Sequence, residues 1–595
     1  MHVDPQLIVL AVLITSVALF VTEALRYDLI AILVAWTLAV THCLTPTEAF
    51  AGFASEAIVV IACMYVFGQA TSRWGIAEFI SQKLIMRSAT GESGLTLRVT
   101  VVGGLMSTIL SNTGVVATLI PVLGSVARKG GVAVSRLLMP LCFGSLAGGM
   151  VTVIGTSTNV AVNGAIVDQG ETPFALFEFA HLGLLLLAIT ALYFVWPGRQ
   201  LLPRSRTTKT LSEHYQVPKF VTEVLVDPSS ALINRVVADA HFFDKYEVTV
   251  LGIVRAEGGG TMLAPGPYNR IRNDDVLMVQ GEPDAILRLR NDLSLRQRDT
   301  VNAGSMRLDS PDVLMVESVL PATSPLIGRT LIEANFQEET GINVLAISKH
   351  GDVQPSKIAH TKLEVGDTLL IQGHQRDIDR LRANRHLLVL GELDPPVFGR
   401  GALMTCVMLG LVLVLSSFGW MDLSMAALTG AVGLLLTGCL RAHEVRNAID
   451  WSVLILIGGM LALGRAFERH GLGHSLAEWI ASLGDTASNP VVILTVLIAV
   501  TTLMTQVMNH VTAAVIMTPV AISLATELGV SNRPLLLGVI VGANLAFMSP
   551  VAHQANAMVM GPGDYKYKDF LRVGFPLTLI LGAVSVFMIP VWWPF

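Results

Sequence analysis

The stretch Ser111-Asn112-Thr113, continued by Gly155-Thr156-Ser157-Thr158-Asn159, decides the fold because it occurs twice. The second copy reads Met508-Asn509-His510 and then Ala552-His553-Gln554-Ala555-Asn556. The first and last asparagines of each copy are 47 positions apart. Both copies lie inside apolar sequence, where polar side chains and helix-breaking residues are costly. Interrupted hydrophobic segments at corresponding places in two halves of a chain indicate the binding site of a membrane transporter.

The composition is that of a membrane protein with a soluble insert. Mean hydropathy is +0.61 and only 14% of the 595 residues are charged. Several runs reach the roughly 20 apolar residues that cross a bilayer. Of the 85 charged residues, 49 fall in residues 198–396. The net charge of −5 gives no argument for a nucleic-acid partner. The five cysteines lie in apolar runs without CxxC spacing, which indicates buried small side chains.

The two halves share one plan. Residues 1–198 are predicted to form the first transmembrane repeat, with a re-entrant helical hairpin at 97–127 and a span interrupted near Gly155. Residues 398–595 are predicted to form the second repeat, with a hairpin at 490–527. Amphipathic segments at 75–87 and 472–483 are predicted to lie in the membrane interface. With the hairpins counted as non-crossing, each half has five spans, so the repeats are inverted.

Basic residues set the predicted orientation. Placing residues 198–396 in the cytoplasm puts most Lys and Arg residues of the connecting loops inside, whereas the loop 168–178 contains neither Lys nor Arg. The prediction is a multi-pass protein of the cell (inner) membrane, with both termini outside and the inserted domains in the cytoplasm.

The insert contains a second, independent repeat. The sequence at 274–281, Asp-Asp-Val-Leu-Met-Val-Gln-Gly, recurs at 366–373 as Gly-Asp-Thr-Leu-Leu-Ile-Gln-Gly. Each copy has the strand, turn and strand signals of a short β-rich module with a terminal helix. Two small α/β domains are therefore predicted, at 210–300 and 310–392. No GxGxxG follows a strand, so a Rossmann nucleotide site is not supported.

The transmembrane motifs resemble those of the divalent-anion:sodium symporters, the family of sulfate and di-/tricarboxylate carriers. Ser111-Asn112-Thr113 is similar to that family's hairpin-tip motif, and Gly155-Thr156-Ser157-Thr158-Asn159 is similar to its GT-x-x-N motif. The insert resembles two copies of the regulatory C-terminal domain of potassium-uptake proteins, the TrkA-C type. The resemblance implies a homodimer in the lipid bilayer, with an elevator-like transport domain that holds both hairpins.

The resemblance also implies the site residues. Na⁺, as the coupling ion, would be held at the first tip by Ser107, Ser111, Asn112 and Gly155. At the second tip, Asn509 and Ala552 would hold Na⁺, but Met504 and Met508 stand where hydroxyl residues would match, and a thioether is a poor Na⁺ ligand. The anion would face Asn112, Thr113, Thr156, Asn509 and His510.

Histidines inside a membrane are functional candidates, so His510 and His553 are predicted to contact either the substrate or a coupling proton, with a structural hydrogen-bonding role as the alternative. Three functions remain open: a Na⁺-driven importer of sulfate, a sodium-coupled dicarboxylate carrier, and a channel gated by the inserted domains. A small cytosolic ligand on those domains would regulate transport. The sequence has no nucleophile–base or metal-ligand pattern, so an enzyme is not expected.

Overall fold

The computed structural model describes residues 4–595 except 23–24, 77–78, 81–90, 131, 169–170, 204–220, 241, 247, 256–260, 267, 282, 298–312, 322–323, 350–351, 355–357, 385–386, 391–398, 473 and 476–488. The interfacial segments predicted at 75–87 and 472–483 lie largely outside these described residues. The helices of the first half are α1 Pro5–Thr22, α2 Tyr27–Val40, α3 Pro46–Ala51, α4 Glu56–Arg73, α5 Gly91–Ser107, α6 Asn112–Gly130, α7 Leu138–Gly149, α8 Ser157–Asp168, α9 Ala180–Val195 and α10 Pro197–Leu201.

The middle of the chain forms two five-stranded antiparallel sheets. The first sheet contains β1 Val221–Val226, β2 Thr249–Val254, β3 Thr261–Leu263, β4 Val276–Gln280 and β5 Leu295–Gln297, with α11 Phe242–Tyr246 and α12 Pro283–Leu293. The second contains β6 Val313–Val319, β7 Asn343–Lys349, β8 Asp352–Gln354, β9 Thr368–His374 and β10 Leu388–Leu390, with α13 Phe336–Thr340 and α14 Gln375–Asn384. We call these the first and second modules.

The helices of the second half follow the same order as those of the first. They are α15 Arg400–Ser417, α16 Leu423–Leu436, α17 Ala442–Ala448, α18 Trp451–Arg469, α19 Pro490–Val507, α20 His510–Leu528, α21 Asn532–Asn544, α22 Gln554–Met560 and α23 Tyr567–Trp592. We call α5 with α6 the first hairpin and α19 with α20 the second hairpin. The first broken helix is α7 with α8, and the second is α21 with α22.

Among the described residues, six helical segments are long and apolar enough to cross a membrane: α3 continued into α4, α15, α18, α19, α20 and α23. Further apolar helices are shorter, including α2, α9 and α16. The prediction of a mostly helical, polytopic membrane protein is confirmed to this extent.

Each hairpin packs against the broken helix of its own half, α5 on α7 and α19 on α21. Glycines bring the first pair close together: a Cβ on Gly148 would lie 2.0 Å from the Gly104 carbonyl oxygen, and a Cβ on Gly144 would lie 2.4 Å from the Thr100 carbonyl oxygen. Small residues let helix backbones approach in this way where lipid removes the hydrophobic drive for helix association. The contact places the first hairpin tip against the break in its partner helix.

The two halves interlock. The second arm of the first hairpin, α6, packs on α22, and the second arm of the second hairpin, α20, packs on α8. The buried Tyr565 hydroxyl adds a polar link, since it accepts from the Met139 N–H at 2.9 Å and donates to the Ser135 carbonyl at 2.5 Å. Both hairpins and both broken helices therefore form one packed body, which we call the site-bearing body.

The two modules have matching sheets. Their strand orders are β3-β2-β4-β1-β5 and β10-β6-β9-β7-β8, and each has a register shift at the same place, between Val250 and Gly252 in β2 and between Val344 and Ala346 in β7. The modules pack on each other through buried side chains from β2, β4, β7 and β9. Gln280 Nε2 donates to the Leu345 carbonyl at 2.6 Å across this contact.

Candidate functional site

The tip of the first hairpin leaves the amide nitrogen of Asn112 without a hydrogen-bond partner among the described residues. Here α5 ends at Ser107 and α6 begins at Asn112, and Ser111 Oγ accepts from the Gly114 N–H at 3.2 Å. Ser111 thereby caps α6 and satisfies one of the orphan donors of its first turn. The buried Asn112 side chain is left to turn inward, where its Oδ1 accepts from Ser107 Oγ at 2.5 Å. Within the described part of the chain, Asn112 Nδ2 has no hydrogen-bond partner.

Ser145 is a member of this cluster that sequence reasoning missed. Its hydroxyl, fully buried on α7, lies 3.0 Å from Ser107 Oγ and 3.2 Å from the Asn112 carbonyl oxygen. The one signal in the sequence is a lone hydroxyl residue in an otherwise apolar helix, which helix packing alone would also explain. Only the packing of the hairpin on α7 shows its partners.

Glycines bring the unwound part of the first broken helix against the tip. A Cβ on Gly149 would lie 2.5 Å from Asn112 Oδ1, and a Cβ on Gly155 would lie 2.5 Å from the Gly149 carbonyl oxygen. The cluster thus gathers hydroxyl, amide and carbonyl oxygens, which are the donors that suit a hard cation such as Na⁺. Any larger side chain at either glycine would fill this space.

The last asparagine of each duplicated stretch holds its helix break in place. Asn159 Nδ2 donates to the Gly149 and Thr152 carbonyls at 3.0 and 2.9 Å. Asn556 Nδ2 makes the matching pair of bonds to carbonyls ten and seven positions earlier, those of Ala546 and Ser549, at 2.6 and 2.9 Å. Both asparagines are buried. The duplication in sequence is therefore a duplication of hydrogen bonds.

Each of these asparagines also receives a bond from the opposite half. Asn544 Nδ2 donates to Asn159 Oδ1 at 3.1 Å, and Cys142 Sγ donates to Asn556 Oδ1 at 3.0 Å. Asn544 is a second residue that the sequence analysis missed. The interpretation of Cys142 as a small buried side chain is correct but incomplete, because its thiol also links α7 to α22. The same interpretation is wrong for Cys406, which is exposed on α15.

The second hairpin tip is built differently. Asn509 Oδ1 accepts from the Val511 N–H at 2.9 Å, so this amide caps α20 itself. The preceding residue, Met508, is 3% exposed and packs in the apolar core, where it offers no cap. Asn509 is half-buried. Its amide oxygen keeps one lone pair for a cation.

Two histidines stack beside the second tip. The rings of His510 and His553 have centroids 4.3 Å apart at an interplanar angle of 29°, and both are buried. His553 Nδ1 accepts from the Ala555 N–H at 3.0 Å and so caps α22. His510 Nδ1 has no hydrogen-bond partner within the described residues. The pair occupies the positions that Thr113 and Thr156 occupy in the first copy.

Gln506 holds the second break against the second hairpin, and it was not predicted. Its Nε2 donates to the Leu545 carbonyl at 3.0 Å and its Oε1 accepts from the Met548 N–H at 3.1 Å. In the first half a different residue makes the matching link, since the Thr152 hydroxyl donates to the Thr108 carbonyl. Sequence comparison of the halves could not find this pair because the donor has moved from the break to the hairpin.

The predicted site residues fall into two groups. Around the first tip the structure brings Ser107, Asn112 and Gly155 together, with Ser111 capping the helix. Around the second tip it brings His510, Ala552 and His553 together, with Asn509 capping the helix. Of the predicted anion ligands not yet placed, Thr113 is half-buried and Thr156 is buried.

Comparison with known proteins gives the family. Residues 17–525 match the profile described as CitMHS, citrate transporter. The chain belongs to the citrate transporter family. A relative in Synechocystis sp., named an uncharacterised transporter, is 31% identical over 98% of this chain and 96% of its own length. Members of this family are transporters and not enzymes. Together with the apolar helices, the family shows that the chain is a multi-pass membrane transporter.

Two further relatives of the chain have names that state a substrate. Sodium/sulfate cotransporter 2 of Chlamydomonas reinhardtii is 26% identical over 62% of this chain and 43% of its own length. The sodium-dependent dicarboxylate transporter SdcS of Staphylococcus aureus is 31% identical over 24% of this chain and 28% of its own length. Both names couple transport to sodium and both substrates are anions.

Proposed function

We propose that this citrate-family transporter is a Na⁺-coupled secondary carrier that imports a small divalent anion, with sulfate as the first candidate. The observation that carries the proposal is the first tip, where Asn112 has its Oδ1 in an oxygen cluster and its Nδ2 buried without a partner among the described residues. One amide then serves two ligands, a cation on the oxygen side and an anion on the nitrogen side.

The cation side has the chemistry that Na⁺ requires. Ser107 Oγ, Asn112 Oδ1 and the carbonyls of the first break lie close together, because the glycines at positions 149 and 155 leave room for them. Hydroxyl, amide and carbonyl oxygens replace the water shell of a hard cation. A bound Na⁺ would supply positive charge beside the anion and would fix the orientation of the Asn112 amide.

The anion side offers neutral hydrogen-bond donors. The first turns of α6 and α8 expose backbone N–H groups, and helix N-termini favour anions. Asn112 Nδ2 adds a donor at the start of α6, and Thr113 and the buried Thr156 flank the same tip and break. We propose that Asn509 and His510 complete the anion site from the second tip, with His553 behind His510.

Coupling follows if the anion and Na⁺ depend on the same amide. A coupled carrier accumulates its substrate only when two forms cross the membrane, the form with both Na⁺ and the anion bound and the empty form. The form with only one of the two ligands bound must not cross, so each ligand must change the binding of the other. We propose an elevator-type movement of the site-bearing body in a homodimer, with the modules in the cytoplasm as TrkA-C-like regulatory domains that bind a small ligand.

A dicarboxylate or citrate is the second candidate for the substrate. The match to SdcS and the family's description favour it. A carboxylate and a sulfate present similar oxygens to N–H donors, so the first tip does not discriminate between them. The residues around the second tip are the proposed specificity determinants.

The test is uptake into proteoliposomes that contain the purified protein. An inward Na⁺ gradient should drive accumulation of labelled sulfate, and collapse of the gradient with a sodium ionophore should abolish it. Labelled succinate and citrate, tested in parallel, rank the alternative substrates. Accumulation of a carboxylate but not of sulfate would replace the first candidate with the second. A gradient-independent current that reverses with voltage would instead identify a channel and contradict the proposal.

A further inference from the structure

A turn of the second module contacts the site-bearing body through backbone atoms. We call residues 364–368 the docking turn. Its Gly366 has φ +86°, and a Cβ on this glycine would lie 2.0 Å from the Ala557 carbonyl oxygen on α22. From the other side, a Cβ on Gly561 would lie 2.5 Å from the Gly366 carbonyl oxygen and 2.4 Å from Thr368 Oγ1. Glycine on both faces lets the two backbones meet.

The first module has the same turn, but its sequence does not permit this contact. Asp275 accepts from the Arg272 N–H at 2.7 Å, as Asp367 accepts from the Glu364 N–H at 2.8 Å. The position equivalent to Gly366 is Asp274, which also has a positive φ, of 61°. A side chain at this position would collide with Ala557. Only the second module therefore has a turn that can dock on α22.

A second contact lies beside the first. Strand β10 packs along α6, the arm that begins at Asn112. Val319 belongs to the apolar core of the membrane part, and Val365 and Leu388 pack against that core. The second module thus touches both α6 and α22, which also pack on each other. These two helices carry Asn112 and Asn556, one from each half of the site.

We propose that the second module is a positioning element of the transport site: its docking turn and β10 hold α22 against α6, and this contact persists throughout the transport cycle. Because α22 begins at the His553 cap and ends at the docking turn, movement of one end moves the other. The insert then controls how tightly the anion binds rather than how often the site-bearing body crosses the membrane. This inference rests on the proposed transport function.

Three glycine substitutions test the contact. Gly561→Ala places a methyl group against Thr368 at a residue with ordinary helical φ. Gly366→Ala places a methyl group against the Ala557 carbonyl from the module side and adds the backbone strain of a positive φ. Gly328→Ala is the matched control, because Gly328 lies in the same module with φ +78° and has nothing within 4 Å of a Cβ. It therefore reproduces the strain of Gly366→Ala without the collision.

The expected result is a change in KM with little change in kcat. Gly561→Ala and Gly366→Ala should raise the KM for the anion about fivefold or more, the lower end of typical coupling between sites. Gly328→Ala should leave KM at the wild-type value. Equal KM values in all three variants would overturn the proposal, as would a fall in kcat at constant KM.

A disulfide tests whether the contact persists. A Cβ on Gly561 would lie 3.5 Å from Thr368 Cβ, within the Cβ separation of a disulfide. Because the same Cβ would lie 2.5 Å from the Gly366 carbonyl oxygen, the docking turn must shift slightly, so transport is compared between the oxidised and reduced forms of one variant. Thr368→Cys combined with Gly561→Cys should cross-link on mild oxidation, with each single variant as control. The locked protein should transport as well as the same protein after reduction.

The outcomes separate this inference from the function on which it rests. Failure of the wild-type protein to accumulate any anion would refute the proposed function, while efficient cross-linking in the same membranes would still establish the docked contact. Transport by the wild-type protein that stops on cross-linking and returns on reduction would mean that the contact opens in the cycle. The second module would then be a gate, and the positioning role would be refuted.

Discussion

The two hairpin tips do the same structural work with different residues. At the first tip Ser111 caps α6, and the Asn112 amide is free to join Ser107 and the first break. At the second tip Met508 replaces the capping serine, and Asn509 must cap α20 itself. The difference teaches that a duplicated asparagine does not carry a duplicated role. The residue one position earlier decides whether the asparagine has to cap its own helix.

The lining of the two breaks follows the same division. The first tip has Thr113 and the first break has Thr156, whereas His510 and His553 stand at the matching positions of the second half and stack on each other. Oxygen donors for Na⁺ are concentrated at the first tip, where Ser145 adds a further hydroxyl. We infer that the first tip is the main cation site and that the second tip contributes chiefly to the anion.

The largest expected effect comes from Asn112→Ala. Hydrogen bonds to charged groups contribute up to about 3 kcal/mol, so Na⁺-driven uptake should fall about 100-fold or more. The unfolding temperature in detergent should stay near the wild-type value because Ser111 still caps α6. Uptake and thermal unfolding are measured on the same preparations. Retention of normal Na⁺-driven uptake would remove the first tip from the mechanism.

Ser107→Ala is expected to lower Na⁺ affinity about tenfold. A variant at the matching position of the second half serves as its control. Loss of this hydroxyl removes an oxygen from the cluster and should weaken Na⁺ about tenfold, measured as the Na⁺ concentration for half-maximal uptake. Met504→Leu, at the matching position of the second half, keeps the volume and should leave Na⁺ affinity unchanged. Equal losses in the two variants would mean that the tips share the cation.

A smaller effect separates the two roles of Asn509. Asn509→Ala removes the cap of α20 and should cost about 1 kcal/mol of stability, whereas Asn509→Ser keeps a capping oxygen and should cost only a few tenths. If capping is the main role, Asn509→Ser should also restore uptake to within about threefold of wild type. Stability restored by serine without recovery of uptake would show that the amide itself binds a ligand.

The modules of the insert offer the comparison on a smaller scale. Burial raises the pKa of Asp367 to about 7. The cation Lys349 offsets this effect only in part, because its Nζ is 3.8 Å away and also pairs with Glu364. The equivalent Asp275 forms a close ion pair with Arg255. A carboxyl whose pKa is raised on folding binds its proton more tightly in the folded state. Its contribution to stability is therefore present near pH 4 and is lost as the pH rises to about 7.

The smallest expected effect is thus a change in pH dependence. Asp367→Asn keeps an oxygen for the Glu364 N–H and should flatten the fall in the unfolding temperature of the full-length protein between pH 5 and pH 8. Asp275→Asn should lower that temperature across the whole range, since it leaves Arg255 without its partner. A wild-type pH profile in the Asp367→Asn protein would contradict the assignment.

Sequence patterns were sufficient where the physics is local or duplicated. The hairpins, the helix breaks and the pairs Asn112/Asn509 and Asn159/Asn556 follow from apolar runs with repeated polar interruptions. The first hairpin, predicted at 97–127, extends from the start of α5 at Gly91 to the end of α6 at Gly130 and therefore differs from the prediction by several residues at its ends. Helix ends are set by caps, here Ser111, and by turns that hydropathy does not register.

Residues whose partners come from other helices could not be predicted. Ser145, Gln506 and Asn544 are polar residues in mostly apolar helices, a pattern that also occurs in ordinary helix packing. Their bonds exist only after the hairpins pack on the breaks. The docking turn could not be predicted for a related reason. The two modules differ there by a single substitution, Gly366 in place of Asp274, and the effect of that glycine depends on the approach of Ala557.

The Tyr565 hydroxyl bridge has a consequence for how the protein is made. Its partner Met139 lies 426 positions earlier in the chain. At a synthesis rate of roughly 5–20 residues per second, the first broken helix waits on the order of 20–80 s for this partner. Until then, polar groups of the first half such as Asn159 Oδ1 lack the partners that the second half supplies. Insertion of the first half and completion of the site-bearing body are therefore separate events in the biogenesis of this transporter.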